Sequence, residues 1–410
     1  MGRIVPVTTP IKEEGEIMLI KGKHNIAKIF TDEVEETAID QIVEMLNQDF
    51  VKNEQIRIMP DVHAGKGSTI GTTMTISNGK VVPNLVGVDI GCGISVYYLG
   101  DLSGTDWSKL DQVISENVPS GKNVRNKMIS ENFKFKDMSF ELINENRIQL
   151  SKGTLGGGNH FIEISKAGDE YYLLIHSGSR NLGVQVAKHH QDVAIKYHKH
   201  NVFDKQGLIS RLKLEGREKE IQTELSKIKP IAFNKELAYL EGDLLSAYLN
   251  DMELAQCFAV ENRALMAETI IKEMGWKVIS SFDSIHNYID LDGHILRKGA
   301  TDASVGKHLV IPLNMRDGAI IATGKGNEDW NCSAPHGAGR VMSRTKAKEN
   351  VSLAEFKNTM QGIYSTSVVE STLDESPFAY KKSDLIIDNI HDTVEIKKII
   401  KPVYNFKAKD

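Results

Sequence analysis

At 410 residues, with 40% hydrophobic and 26% charged side chains, the chain can bury a large core in one big domain or two, which excludes a disordered protein. The formal charge of −5 gives no global attraction to polyanions, so a nucleic-acid partner would need a local basic patch. No segment approaches eighteen consecutive apolar residues, the N-terminal stretch has no apolar run of signal-peptide length, Pro6 stands where a myristoylation signal needs Ser or Thr, and Cys92, Cys257 and Cys332 form an odd, sparse set, so the chain reads as cytoplasmic with no membrane partner.

In chain order, residues 32–49 place apolar side chains at helical spacing behind an acidic first turn, which predicts a helix. From 56 to 100 the chain breaks into short β-like pieces, IRIMP, GTTMTI, KVVPNLVGV and ISVYYL, divided by glycine-rich turns. Residues 171–176 read as a strand, 184–200 as a helix and 203–276 as a long, charged, mostly helical stretch, so that about 184–276 is mainly helical. A second β-rich block spans 278–323, and the tail from about 346 reads as mostly helical. Strands and helices follow no regular βαβ alternation. The expected class is therefore α+β, with mixed β-sheets forming a central core flanked by helices.

Polar residues cluster with glycines in five segments: MPDVHAGKGSTIG (59–71), VGVDIGCG (86–93), GTLGGGNHFIE (153–163), HSGSRNLG (176–183) and CSAPHGAGR (332–340). Each offers ligands on a loop, and glycine-rich loops leave N–H groups free to cradle anions, so phosphate is the natural expectation. None matches a P-loop. CSAPHGAGR is too interrupted by Pro335, Gly337 and Gly339 for a helix or strand and holds His336 beside bare backbone. Asp89 and Cys92 lie three apart, so one turn can aim both at a point; with His160, His176 and His286 they offer a site for one or two divalent ions, zinc or iron by ligand softness. The plainer alternative is that a buried cysteine is a small hydrophobe and a lone histidine an ordinary hydrogen-bonded residue. His189, His190, His198 and His200 fall on the polar face of an amphipathic helix and read as solvated surface.

VGVDIGCG, GTLGGGNHFIEI, HSGSRNLG, HNY (286–288) and HGAGRVMSRTKAK (336–348) together resemble, in order and separation, the motifs of the RtcB family of RNA ligases. The resemblance runs from about residue 56 to the C-terminus and implies a single catalytic domain over 1–410 with that family's fold. It implies a GTP-dependent enzyme joining RNA ends that bear 2′,3′-cyclic phosphate or 3′-phosphate to 5′-hydroxyl ends, in RNA repair or tRNA splicing, through a histidine–GMP adduct and an activated RNA–guanylate. The nucleophile maps to His336, with Asp61 orienting it. The metal set maps to Asp89, Cys92, His160, His176 and His286, and the family association is with two Mn2+ ions rather than zinc or iron.

For GTP the resemblance implies Asn159, His160, Phe161, Ile162 and Glu163, with Glu163 a partner for guanine N–H groups. It adds His286, Asn287, Pro312, Leu313, Asn314, Met315, Ala319, His336, Gly337, Ala338 and Gly339, with Tyr380 as a stacking ring and Lys407 near the C-terminus. Arg180, Arg297, Lys298, Arg340 and Arg344 would form the basic patch for RNA phosphates, the alternative being solvated charge, above all for Arg297 and Arg344. An accessory activating protein is a further implied partner. One departure stands out: where the family commonly shows PGSMG followed by serine, this chain reads PLNMRDGA at 312–319, which puts guanine specificity in question. A metal-dependent cyclic phosphodiesterase would need the metal set without a nucleotide adduct, and a non-ligating RNA-binding relative would need neither.

Overall fold

The structure is a computed structural model that describes residues 11–12, 17–129, 133–201, 205–227 and 233–409. Two seven-stranded sheets organise it. In the first, the spatial order is Ile11–Lys12, Met18–Lys21, Ile26–Ile29, Ile56–His63, Ile70–Thr75, Ile295–Lys298 and Asn287–Asp290. Its one parallel pair joins Ile26–Ile29 to Ile56–His63. A parallel pair needs a crossover, and helix Glu36–Leu46 supplies it, burying Ala38, Ile42, Met45 and Leu46 at the spacing read from the sequence.

The second sheet is antiparallel throughout, ordered His308–Asn314, Gly318–Gly324, Val394–Phe406, Phe161–Ala167, Glu170–Ser177, Gly93–Gly100 and Ser280–Ile285. One face packs Ile162, Ile164, Leu173 and Ile175 against helix Trp107–Asn117 and the later turns of helix Gly242–Met274. That 33-residue helix serves two cores: Tyr248, Met252 and Phe258 pack with the strands and helix of the first sheet, while Met266 and Ile270 pack under the second. Helices and antiparallel or mixed sheets together make the α+β fold expected. No described helix is long and apolar enough to cross a membrane.

Local readings differ from the structure in five places. KVVPNLVGV is not a strand: Pro83 opens a short 3-10 turn, Pro83–Leu85, and only Val81 bridges, to Leu240. CSAPHGAGR begins as a strand, Ser333–Pro335, paired with Ala300–Asp302. The second helix starts at Arg180 rather than 184. The tail contains a 13-residue strand, Val394–Phe406, in the middle of the second sheet; register shifts opposite Ile321/Ala322 and at Pro402/Tyr404 flip its phase, which erases the period-two signal.

Finally, His189, His190 and His198 are not free surface: His190 is buried and His189 and His198 are half-buried. Helix Arg180–Asn201 lies against helix Gly242–Met274 and the 133–142 segment, so His189 stacks on Phe140 at 4.0 Å, buried His190 pairs through Nε2 with Asp251 at 2.8 Å, and His198 Nε2 accepts from the Tyr239 N–H. The side chain of His200 lies outside the described residues.

Candidate active site

Four strands of the second sheet end at one point. Cys92 precedes Gly93–Gly100, His176 lies within Glu170–Ser177, His160 precedes Phe161–Ala167 and His286 follows Ser280–Ile285. The register pairs Gly93 with Ser177 and with Ile285, and Phe161 with His176, so antiparallel neighbours deliver side chains far apart in sequence to one edge. Asp89 joins them from a tight turn closed by the Cys92 N–H donating to the Asp89 carbonyl. Gly91, at φ +71°, makes that turn with its backbone against Gln256, where a Cβ would lie 2.8 Å from the Gln256 Cα.

Cys92 Sγ sits 3.3 Å from His176 Nε2 and 3.5 Å from His160 Nε2; His176 Nε2 is 3.3 Å from His286 Nε2, and His160 Nε2 is 2.9 Å from Asp89 Oδ2. Two triads result, Cys92–His176–His286 and Asp89–Cys92–His160, sharing the sulfur. Burial works against charge on Asp89, yet the His160 hydrogen bond and charge, with Arg180, outweigh it and hold the carboxyl at about 2. Burial pushes the Cys92 thiol well above its usual range, helped by the Asp89 charge, and burial holds His176 and His286 neutral. The His176 and His286 lone pairs, a carboxylate and a sulfur therefore converge in a largely buried place that opens to solvent at Asp89, whose side chain is 32% exposed. The set lacks a positive centre, and its chemistry fits one or two divalent cations.

The donors are held from behind by residues that the sequence reading missed. Arg263, fully buried on helix Gly242–Met274, donates to the carbonyls of Gly91 and Ser177, each next to a donor, and pairs with Asp283 at 3.1 Å. Asn262 donates to Ser177 Oγ and the Gly178 carbonyl and accepts from the Thr154 N–H. The Leu155 carbonyl lies 2.9 Å from His160 Nδ1, the distance of an Nδ1–H donor, which fixes the tautomer and aims Nε2 at the cluster. The available signal was a polar ENR triplet in which Asn262 and Arg263 fall among the apolar positions of a long amphipathic helix. Arg263→Met leaves two buried carbonyls unpaired at about 1–3 kcal/mol each. The expected result is a lowered melting temperature together with metal affinity down roughly 10–100-fold, read by calorimetry on the folded protein.

His336 follows strand Ser333–Pro335, after two left-handed residues, Asn331 and Cys332. Asp61, fully buried on strand Ile56–His63, accepts from the His336 backbone N–H at 3.2 Å and lies 2.6 Å from Nδ1. Gly339 permits this approach: at φ +74°, a Cβ there would lie 2.4 Å from the Asp61 carbonyl oxygen. With Nδ1–H donating to the carboxylate, the Nε2 lone pair is left free on a part-exposed ring whose centroid lies 4.8 Å from that of His286. His63, another residue the sequence reading passed over, lies with its Nδ1 2.9 Å from the Asp61 carbonyl oxygen and is held neutral by burial.

A cleft of about 790 Å³ opens beside this pair. Asn159, Phe161, Glu163, Pro312 to Met315, His336 to Arg340, Arg344, Tyr380 and Lys407 line it, as does His176. Ile162 and Ala319 do not: strand alternation turns Ile162 into the opposite core, and Ala319 is buried with Val310 and Ile321. Asn287 instead braces the site, accepting from the Gly299 N–H and donating to the Asp89 carbonyl.

Glu375, unnoticed in the sequence, sits 2% exposed among Lys407 at 2.8 Å, Arg344 at 2.6 Å, Arg340 at 3.4 Å and the Tyr380 hydroxyl at 2.8 Å. Burial opposes its charge, but Lys407 and Arg344 hold it at about 2. Arg180 reaches His160 Nδ1 at 3.4 Å. The structure does not bring Arg297 and Lys298 to the surface: Arg297 bonds Ser333, Tyr288 and Asp290, and Lys298 Nζ bonds the carbonyls of Lys66 and Asn84 and the Ser68 hydroxyl. In the departing 312–319 loop, Asn314, Arg316 and Asp317 bond one another and Arg316 reaches Thr359. The new charges are engaged by one another and by Thr359 and Ser383.

A model of the family described as "tRNA-splicing ligase RtcB" matches residues 41–141 and 134–408. Among curated proteins, the chain is 31% identical to "RNA-splicing ligase RtcB1" of Escherichia coli strain ATCC 25922, over 92% of this chain and 95% of that protein. It is 30% identical to "RNA-splicing ligase RtcB" of Escherichia coli K12 with the same coverage, and 27% identical to "tRNA-splicing ligase RtcB" of Nanoarchaeum equitans over 84% and 85%.

Proposed function

Since this chain belongs to the RtcB family of RNA ligases, we propose that it joins RNA 3′-phosphate or 2′,3′-cyclic phosphate ends to 5′-hydroxyl ends by a GTP-dependent route through His336. The observation that carries the reading is the 2.6 Å contact between Asp61 and the Nδ1 of His336, which lines the cleft together with Gly337 and Gly339. Asp61 fixes the tautomer and stabilises the charge the ring acquires on attack, and the freed Nε2 is a competent nucleophile.

In the proposed first step Nε2 bonds to the α-phosphorus of GTP, the bond to the bridging oxygen breaks and pyrophosphate leaves. The RNA 3′-phosphate then attacks the same phosphorus, the P–N bond breaks and the imidazole returns to neutral. The incoming 5′-hydroxyl attacks the activated 3′-phosphate, losing its proton as GMP departs. A cyclic phosphate is first opened by water. Asp89, Cys92, His160, His176 and His286 would hold divalent ions, Mn2+ in this reading, which when bound supply positive charge against phosphate oxygens. In this reading Arg180, Arg340 and Arg344 remain the candidate cations for RNA phosphate, Arg340 and Arg344 lining the cleft beside Glu375, whereas Arg297 and Lys298 are internal braces.

Incubation with α-labelled GTP and Mn2+ followed by denaturing electrophoresis tests this directly. An acid-labile, alkali-stable label on the protein is expected of a phosphoramidate. No label, with RNA still joined, would refute the route. A cyclic phosphodiesterase has no use for the Asp61–His336 pair.

A further inference from the structure

The base end of the cleft has a reader that neither sequence motif nor family name assigns. Strands Phe161–Ala167 and Val394–Phe406 are antiparallel neighbours with Asn405 directly opposite Glu163. Alternation turns Ile162, Ile164, Tyr404 and Phe406 into the core, and puts Phe161, Glu163, Asn405 and then Lys407 on the other face, where all four line the cleft. Lys407 Nζ stands 5.5 Å from the Phe161 ring centroid.

Asn405 is 1% exposed. Its Nδ2 donates to Glu163 Oε2 at 2.8 Å; burial pushes Glu163 up to about 7 against the Ser165 and Asn405 hydrogen bonds and the Lys407 charge, and this orientation belongs to the carboxylate form, which can only accept. The other amide atom, Oδ1, is buried and without a hydrogen-bond partner among the described residues. Buried carbonyl oxygens rarely go unpaired, and one on a residue lining a binding cleft is available to a donor on the ligand. The floor thus offers a donor at Lys407, an acceptor at Glu163 and a second acceptor at Asn405. The Watson–Crick edge of guanine is the complement: an acceptor at O6, then donors at N1 and at the 2-amino group. Adenine reverses the first two, and hypoxanthine lacks the third.

We infer that Asn405 is a specificity-determining residue whose Oδ1 accepts a hydrogen bond from the guanine 2-amino group. The inference rests on the GTP-dependent reading above. An acceptor there would give base selection independent of the departing 312–319 loop, whose polar groups are engaged with one another and with Thr359 and Ser383.

The experiment compares the efficiency of adduct formation with α-labelled GTP and α-labelled ITP, which differ only in that amino group. The native protein is expected to prefer GTP at least tenfold, and Asn405→Ala to cut that ratio at least fivefold. Asn405→Leu, which keeps the volume without the acceptor, is expected to do the same should alanine compromise folding. Native protein using ITP as well as GTP would overturn the inference. So would folded variants in which both nucleotides lose efficiency in parallel, since Asn405 would then merely hold Glu163. Absence of an adduct from either nucleotide on the native protein overturns the GTP-dependent reading itself and this inference with it.

Discussion

His336→Ala is expected to form no labelled protein from GTP and to lose RNA joining by at least about 10⁴-fold, the scale seen when a covalent nucleophile is removed. The variant should fold normally, because the ring is part exposed and its loop is held by strand Ser333–Pro335 and by Gly339 rather than by imidazole packing. What distinguishes lost chemistry from lost structure is a bypass. RNA whose 3′ end is already an activated guanylyl diphosphate should still be sealed, since that step draws on the donor cluster and the RNA cations but not on the imidazole. A His336→Ala protein that still takes up label would move the nucleophile elsewhere. Failure on the activated RNA as well would reduce His336 to a residue that shapes the site.

Cys92→Ala is expected to abolish guanylylation and joining together, because both triads use its sulfur and no neighbour can reach across them. The fold should survive, since the change deletes one small buried side chain. Thermal melts separate the two effects. At 100 times its dissociation constant, Mn2+ should stabilise the native protein by roughly 2.7 kcal/mol, while Cys92→Ala should respond little or not at all. Native protein stripped with chelator should match the variant in joining and recover on adding Mn2+. Joining at the native rate by folded, metal-depleted Cys92→Ala would sink the assignment.

How much of this was legible depends on where each signal resides. Donors that flank glycines carry a local signature: Asp89 and Cys92 sit on one turn, and His160, His176 and His336 each lie in a polar, glycine-rich segment. The residues that support them carry none. Arg263 and Glu375 resemble any helical or loop charge until the packing shows which carbonyls and cations they meet. Asn405 depended on finding strand Val394–Phe406, and that strand was missed because two bulges break its alternation within a lysine-rich text. Arg297 illustrates the opposite error. The family resemblance implied that it and Lys298 contact RNA, yet both are enclosed by carboxylates, hydroxyls and carbonyls that only the folded packing brings around them.

Helix Gly242–Met274 also bears on how the molecule opens. Its early turns belong to one apolar core and its later turns to the other, with Asn262 and Arg263 fastened to the donor loops between them. Fraying either sheet alone would strip one half of a continuous helix of its cover while the other half stays packed, an arrangement that favours concerted rather than piecewise unfolding. Amide protons around residues 258–266 then exchange only through the largest opening available. The donor cluster, tethered to that slow stretch, is expected to stay assembled through the smaller fluctuations that open the cleft beside it.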